Sequence, residues 1–117
     1  AVTTNIAAMV ARCRTLHLAY VVVGFPSTAS SAYYTGTALA TALTNWRASM
    51  AATYGERWYD TMPTLLANGN GSGADNAAIA NGVPPPSLLS DVIHWNDAGH
   101  AVNATATAAK FTPQLTF

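Results

Sequence analysis

Apolar residues recur in the first fifteen positions at Ile6, Met9, Val10 and Cys13. These spacings of 3, 4 and 7 place them on one face of a helix. Thr4 or Asn5 is the expected cap, and the helix is expected to end near Thr15. The pattern then changes. Leu18-Ala19-Tyr20-Val21-Val22-Val23-Gly24-Phe25 is a continuous β-branched and aromatic run with no polar alternation. Such a run predicts a strand buried on both faces, as in a parallel sheet covered by helices. Pro26 ends it, and Ser27 to Gly36 reads as a polar loop. A second helix is expected from about Thr37, with Leu39, Leu43, Trp46 and Met50 sharing a face and Tyr54-Gly55 as the stop. Arg57 to Met62 reads as a second short strand ended by Pro63, and Asn68 to Asn76 as a flexible Gly- and Asn-rich surface loop. Pro84-Pro85-Pro86 is a stiff extended segment, and a third helix is expected from a cap at Asn96 or Asp97 to about Lys110.

Helices alternating with buried strands predict an α/β layered fold with parallel strands. Two or three strands are too few for such a sheet to cover itself, because parallel sheets need several strands with helices on both faces. With 117 residues there is room for one domain, so residues 1–117 read as a single partial domain, incomplete on its own.

Composition narrows the partners. Only 9% of residues are charged, and five Lys plus Arg balance five Asp plus Glu. A net charge of zero excludes the basic field of a non-specific nucleic-acid binder and any polybasic membrane attraction. No apolar run approaches the roughly 20 residues of a membrane span. Arg12, Arg14 and the apolar segment after them mimic a signal peptide, but His17 inside that segment favours a buried strand. Ala (24) and Thr (15) make a third of the chain, and Lys110 is its one lysine. A surface so short of charge is expected to be covered by something. The lone Cys13 permits no internal disulfide and reads as a small buried hydrophobe. Trp46, Trp58 and Trp95 read as packing residues, not as a sugar-stacking platform. Asn70-Gly71-Ser72 and Asn103-Ala104-Thr105 match the glycosylation pattern at a level chance explains.

His17 reads as a satisfied structural histidine. His94 differs, because Asp91 lies three residues before it, in a loop just ahead of a helix. On a turn, that spacing lets the carboxylate accept a hydrogen bond from one imidazole nitrogen and leaves the other free to take a proton from a nucleophile. A helix-capping Asp or one end of a metal site would explain Asp-x-x-His as well. Apart from Asp97, no neighbouring Asp, Glu or Cys is present to complete a metal shell, and no cofactor is called for.

The longer string Asp91-Val92-Ile93-His94-Trp95-Asn96-Asp97-Ala98-Gly99-His100 resembles the last conserved block of the SGNH (GDSL) hydrolases: Asp-x-x-His, an Asn two places on, then a Gly opening the final helix. The approach Asn81 to Ser90 looks like the lead-in of bacterial and phage members, and the helix, strand and Pro26 loop upstream are similar to the elements that precede it. Only the last block is diagnostic. The resemblance implies the C-terminal part of a three-layer αβα, flavodoxin-like fold. It also implies a serine esterase in which Asp91 is the triad acid and His94 the general base, with Asn96 and Gly99 shaping the turn and His100 structural. The implied substrate is a carboxylic or carbohydrate ester, acetylated glycan among the classes, at an extracellular or virion-associated location.

The family's nucleophile and oxyanion blocks are not found here. Ser27, Ser30, Ser31, Ser49, Ser72, Ser87 and Ser90 are present, and none follows Gly-Asp. Ser72, in Gly71-Ser72-Gly73, has Asn70 and Ala74 where a Gly-x-Ser-x-Gly nucleophile elbow needs glycines, and reads as loop filler. An N-terminal polypeptide segment carrying Gly-Asp-Ser is therefore the expected partner. The competing expectation is a non-catalytic SGNH-like structural or glycan-binding component of a virion or cell surface.

Overall fold

The computed structural model describes residues 1–112. Helix α1 spans Val2–Thr15, strand β1 Val22–Gly24, helix α2 Ala38–Tyr54 and strand β2 Trp58–Asp60. Helices α3 (Thr61–Leu66), α4 (Gly73–Ala80) and α5 (Asp97–Phe111) follow. The two strands pair in parallel, with Val22 opposite Trp58, Val23 opposite Tyr59 and Gly24 opposite Asp60. The α/β class with parallel strands therefore holds. Two strands do not make the three-layer SGNH sandwich that the resemblance implies.

Successive residues of a strand point to opposite faces, and the helices divide accordingly. Val22 and Trp58 pack with Val10 of α1 and Met50 of α2. Tyr59, on the other face, meets Phe111 of α5 edge-on, with ring centroids 6.0 Å apart. Gly24 is required where it stands: a Cβ there would come within 2.6 Å of the Trp58 ring. A second cluster, Met62, Leu65 and Leu88 with Trp95 and Val102, fastens α3 and α5 to the loop between them.

Several local expectations are corrected. The apolar run pairs only at Val22–Gly24, and Leu18, Val23 and Phe25 stay about half exposed (55%, 45% and 51%). Strand length depends on a partner, and among the described residues β1 has β2 alone. Val23 pairs with Tyr59 and stands on the same face of the sheet, yet it remains 45% exposed. The second strand stops at Asp60, not Met62. The Asp60 side chain accepts the Met62 amide and caps α3, so Pro63 sits in a first helical turn, where a missing N–H costs nothing. The Gly-rich segment is not loop throughout, because Ser72 caps α4 by accepting the Asp75 amide. The first helix begins at Val2, ahead of Thr4. Cys13 is half-buried, not buried, and Met9 and Leu39 on the predicted apolar faces are exposed. His17 is exposed at φ 55°, a left-handed position at the helix exit, not a satisfied core site.

The radius of gyration is 15.3 Å, against about 13 Å for a compact domain of this length. The molecule measures 48 × 30 × 20 Å.

Candidate active site

The segment from Leu88 to Asn96 is a closed loop. The Asn96 amide donates to the Leu88 carbonyl at 3.1 Å, Leu89 and Trp95 form an antiparallel bridge, and the Ser90 amide donates to the His94 carbonyl at 2.9 Å. At the far end, Oδ1 of Asp91 accepts the Ile93 and His94 amides, both at 2.7 Å. This is the local Asx geometry expected of Asp at a turn. It leaves Oδ2 free, and Oδ2 lies 2.7 Å from Nδ1 of His94. The expected carboxylate–imidazole hydrogen bond is therefore present.

The imidazole bond, then the His94 and Ile93 amides, pull the Asp91 pKa down to about 2. At neutral pH the carboxylate can only accept, so Nδ1 of His94 carries the proton. A neutral His94 then holds its lone pair on Nε2. Both side chains are open to solvent, His94 at 73% and Asp91 at 54%. The Val92 and Ile93 side chains beside them are also exposed (57% and 59%).

Besides the packing of Leu88 and Trp95, hydrogen bonds of Val92 and Asn96 hold this loop in place. The Val92 carbonyl accepts the Ala29 amide at 2.9 Å, which holds the loop beside the segment that leaves the carboxyl end of β1. Asn96 caps α5 by accepting the Gly99 amide at 3.0 Å, while its Nδ2 donates to the carbonyls of Ser87 (2.9 Å) and Leu89 (3.2 Å). Gly99 is buried against the Leu88 carbonyl, in a gap that a Cβ would fill. Asn96 and Gly99 thus shape the turn. His100 packs its ring on Trp95, centroids 5.5 Å apart.

The hydroxyls of Ser27, Ser30, Ser72, Ser87 and Ser90 are engaged elsewhere: with Met62, as two helix caps, with Asp75 and with the His94 carbonyl. Among the described residues none bonds Nε2 of His94, and no cluster of three His, Cys, Asp or Glu side chains is placed to hold a metal. The cavity between Thr35, Arg47 and Met62 (about 360 Å³) and the more apolar one between Phe25, Leu39 and Trp46 (about 420 Å³) are lined by neither Asp91 nor His94.

Sequence reasoning overlooked Asp75. It is 1% exposed, and its carboxylate accepts the Asn70 amide at 2.7 Å, the Ser87 amide at 3.0 Å and the Ser87 hydroxyl. Burial pushes its pKa up, but the Ser87 hydroxyl and the Asn70 and Ser87 amides outweigh burial and hold it below the ordinary carboxylate value. The available signal was Ser72-x-x-Asp75, the spacing of a helix-capping pair, hidden in a Gly-rich stretch. The chain matches no protein-family model, no curated protein and no solved structure.

Proposed function

We propose that this chain supplies the acid and base of a Ser-His-Asp ester hydrolase of SGNH type, as the C-terminal part of its three-layer domain. The observation that carries this reading is the Asp91 Oδ2–His94 Nδ1 contact of 2.7 Å. An Asx turn needs only Oδ1. The second oxygen is given to the imidazole, which fixes the tautomer and turns Nε2 outward as a base. The loop is tied to the segment that leaves the carboxyl end of β1, and ligands of open α/β sheets bind outside the carboxyl ends of the strands.

In the proposed reaction, Nε2 takes the proton of a seryl hydroxyl as its oxygen attacks the ester carbonyl. Collapse of the tetrahedral intermediate breaks the bond to the alcohol oxygen, which leaves with that proton. Water then repeats the sequence on the acyl-serine and releases the acid. Asp91 keeps the proton on Nδ1 and stabilises the imidazolium in both halves. The nucleophile and oxyanion donors come from an N-terminal Gly-Asp-Ser segment, a role consistent with the engaged hydroxyls of five serines here. That segment would add strands beside β1 and cover Val23 and Phe25. The substrate is a carboxylic or carbohydrate ester, acetylated glycan included, met outside the cell or on a virion.

A non-catalytic structural or glycan-binding role is the second reading, favoured by the open exposure of His94. One experiment separates them: hydrolysis of p-nitrophenyl acetate and labelling by a fluorophosphonate, measured on the native protein and its H94A variant. The expected result is a labelled serine and a loss of about 10³–10⁴-fold in kcat in H94A, as for other triads. Near-normal hydrolysis by H94A overturns the catalytic assignment. No labelled polypeptide in the native material supports the structural role.

A further inference from the structure

We infer that Asp75 is a positioning residue for the Asp91–His94 pair, acting through Ser87 and Asn96; this rests on the catalytic reading above. Asp75 is almost wholly buried, and among the described residues no cation pairs with it. A buried carboxylate is costly unless every lone pair is met, and here three donors converge on it, two of them from Ser87.

Ser87 ends a rigid stretch. Val83, Pro84 and Pro85 are buried almost completely, and proline fixes their path. The Asp75 carboxylate clamps the end of this stretch by the Ser87 amide and hydroxyl, and the Ser87 carbonyl then receives Nδ2 of Asn96. Asn96 closes the 88–96 loop at its base by holding the Leu89 carbonyl as well. Asp91 and His94 sit at the exposed tip, where their mutual hydrogen bonds compete with water. They hold one geometry only while the base of the loop is fixed. A shift at Ser87 reaches the imidazole through one side chain and a short, doubly bridged loop.

The test reads His94 directly in the full 117-residue chain. Nitrogen-15 NMR of the neutral imidazole gives the fraction protonated at Nδ1, and thermal unfolding is measured in parallel. D75N turns an amide donor toward converging donors; S87A is milder, removing only the hydroxyl contact. In both, the Nδ1–H fraction is expected to fall by about half or more, because the tautomer is set by the bond Nδ1 makes. S87T is expected to restore it. M50A, in the other core cluster, is expected to lower stability and leave the tautomer unchanged. If D75N does not fold, S87A and S87T carry the test. Lower stability in D75N and S87A with the wild-type tautomer would make Asp75 a structural anchor only and overturn the inference. So would an equal tautomer shift in M50A. A wild-type His94 that does not favour Nδ1–H instead removes the Asp91–His94 pair itself, and the catalytic reading goes with it.

Discussion

Replacing Gly99 with alanine sets two rules against each other. Helix propensity alone favours the change: inside an exposed helix, Gly to Ala stabilises by about 0.5–1 kcal/mol. Packing opposes it. Gly99 is in the first turn of α5 and buried, and its new Cβ would press on the Leu88 carbonyl oxygen and lie 3.1 Å from Cβ of Trp95. That carbonyl is backbone, and it already accepts the Asn96 amide at 3.1 Å, so it cannot swing aside without breaking the loop closure. Overpacking costs about 1–3 kcal/mol and a lost hydrogen bond about 1 kcal/mol. The net expectation is a loss of about 1–3 kcal/mol. Unfolding entropy of about 2.1 cal/mol/K per residue gives about 0.25 kcal/mol/K for a chain of this length, hence a Tm lowered by about 4–12 °C. Calorimetry on wild type and G99A measures this. Gly73, the first residue of α4, is the control, because a Cβ there meets nothing within 4 Å. G73A is expected to be neutral or to stabilise by up to about 1 kcal/mol. If G99A were as stable as wild type, the tight seating of α5 on the 88–96 loop would be wrong.

Carbon-13 NMR of the Asp91 carboxyl is expected to show a midpoint of about 2, well below the ordinary value of about 3.9. Because the folded pKa is depressed, the bond to His94 is intact above the ordinary range and lost as pH falls through about 2; a midpoint near 3.9 refutes it. In H94A the midpoint is expected to rise but stay below 3.9, since the Ile93 and His94 amides remain on Oδ1. D91N is expected to cut kcat by about 10³–10⁴-fold with KM little changed, because an amide no longer enforces the Nδ1–H tautomer; an unchanged kcat excludes a catalytic role for Asp91. L65A empties a fully buried position in the cluster under the loop and is expected to cost about 3–5 kcal/mol in denaturant unfolding; a loss under 1 kcal/mol would mean the cluster is not packed as described.

What was legible in the sequence was what is local. The stripe through Val10 and the one through Met50 gave α1 and α2. Asn96 as a cap gave the start of α5. Asp-x-x-His gave the hydrogen bond at the loop tip, since a turn at that spacing brings the two side chains within reach. What escaped depends on distant partners or on competing signals. Leu18 to Phe25 has the composition of a buried strand along its whole length, but hydrogen bonds to β2 hold only three of its residues in a strand. Arg57 to Met62 lost its end to Asp60, whose side chain satisfies a helix amide sooner than it continues a strand. A proline that stops a strand is equally at home in a first helical turn, and Pro63 sits in one. The Asp75–Ser87 clamp joins residues twelve apart across the triproline. No periodicity announces such a contact, and glycine-rich surroundings made it look like loop.

The distribution of burial bears on which role fits the Asp91–His94 pair. An ion-pair-like contact exposed on both sides is screened by water and adds little to folding, so stability does not explain why this geometry is held. The structure beneath it is of another kind. Asp75 is buried where a carboxylate is costly, the Asn96 side chain makes three hydrogen bonds at the base of the loop, and Gly99 gives up helix propensity so that α5 can approach the Leu88 carbonyl. These features stiffen the base of a loop whose tip is exposed and is tied on by the Ala29–Val92 hydrogen bond. Rigid support under an exposed Asp–His pair is what the proposed role requires, because an imidazole displaced by an ångström loses most of its effect as a base.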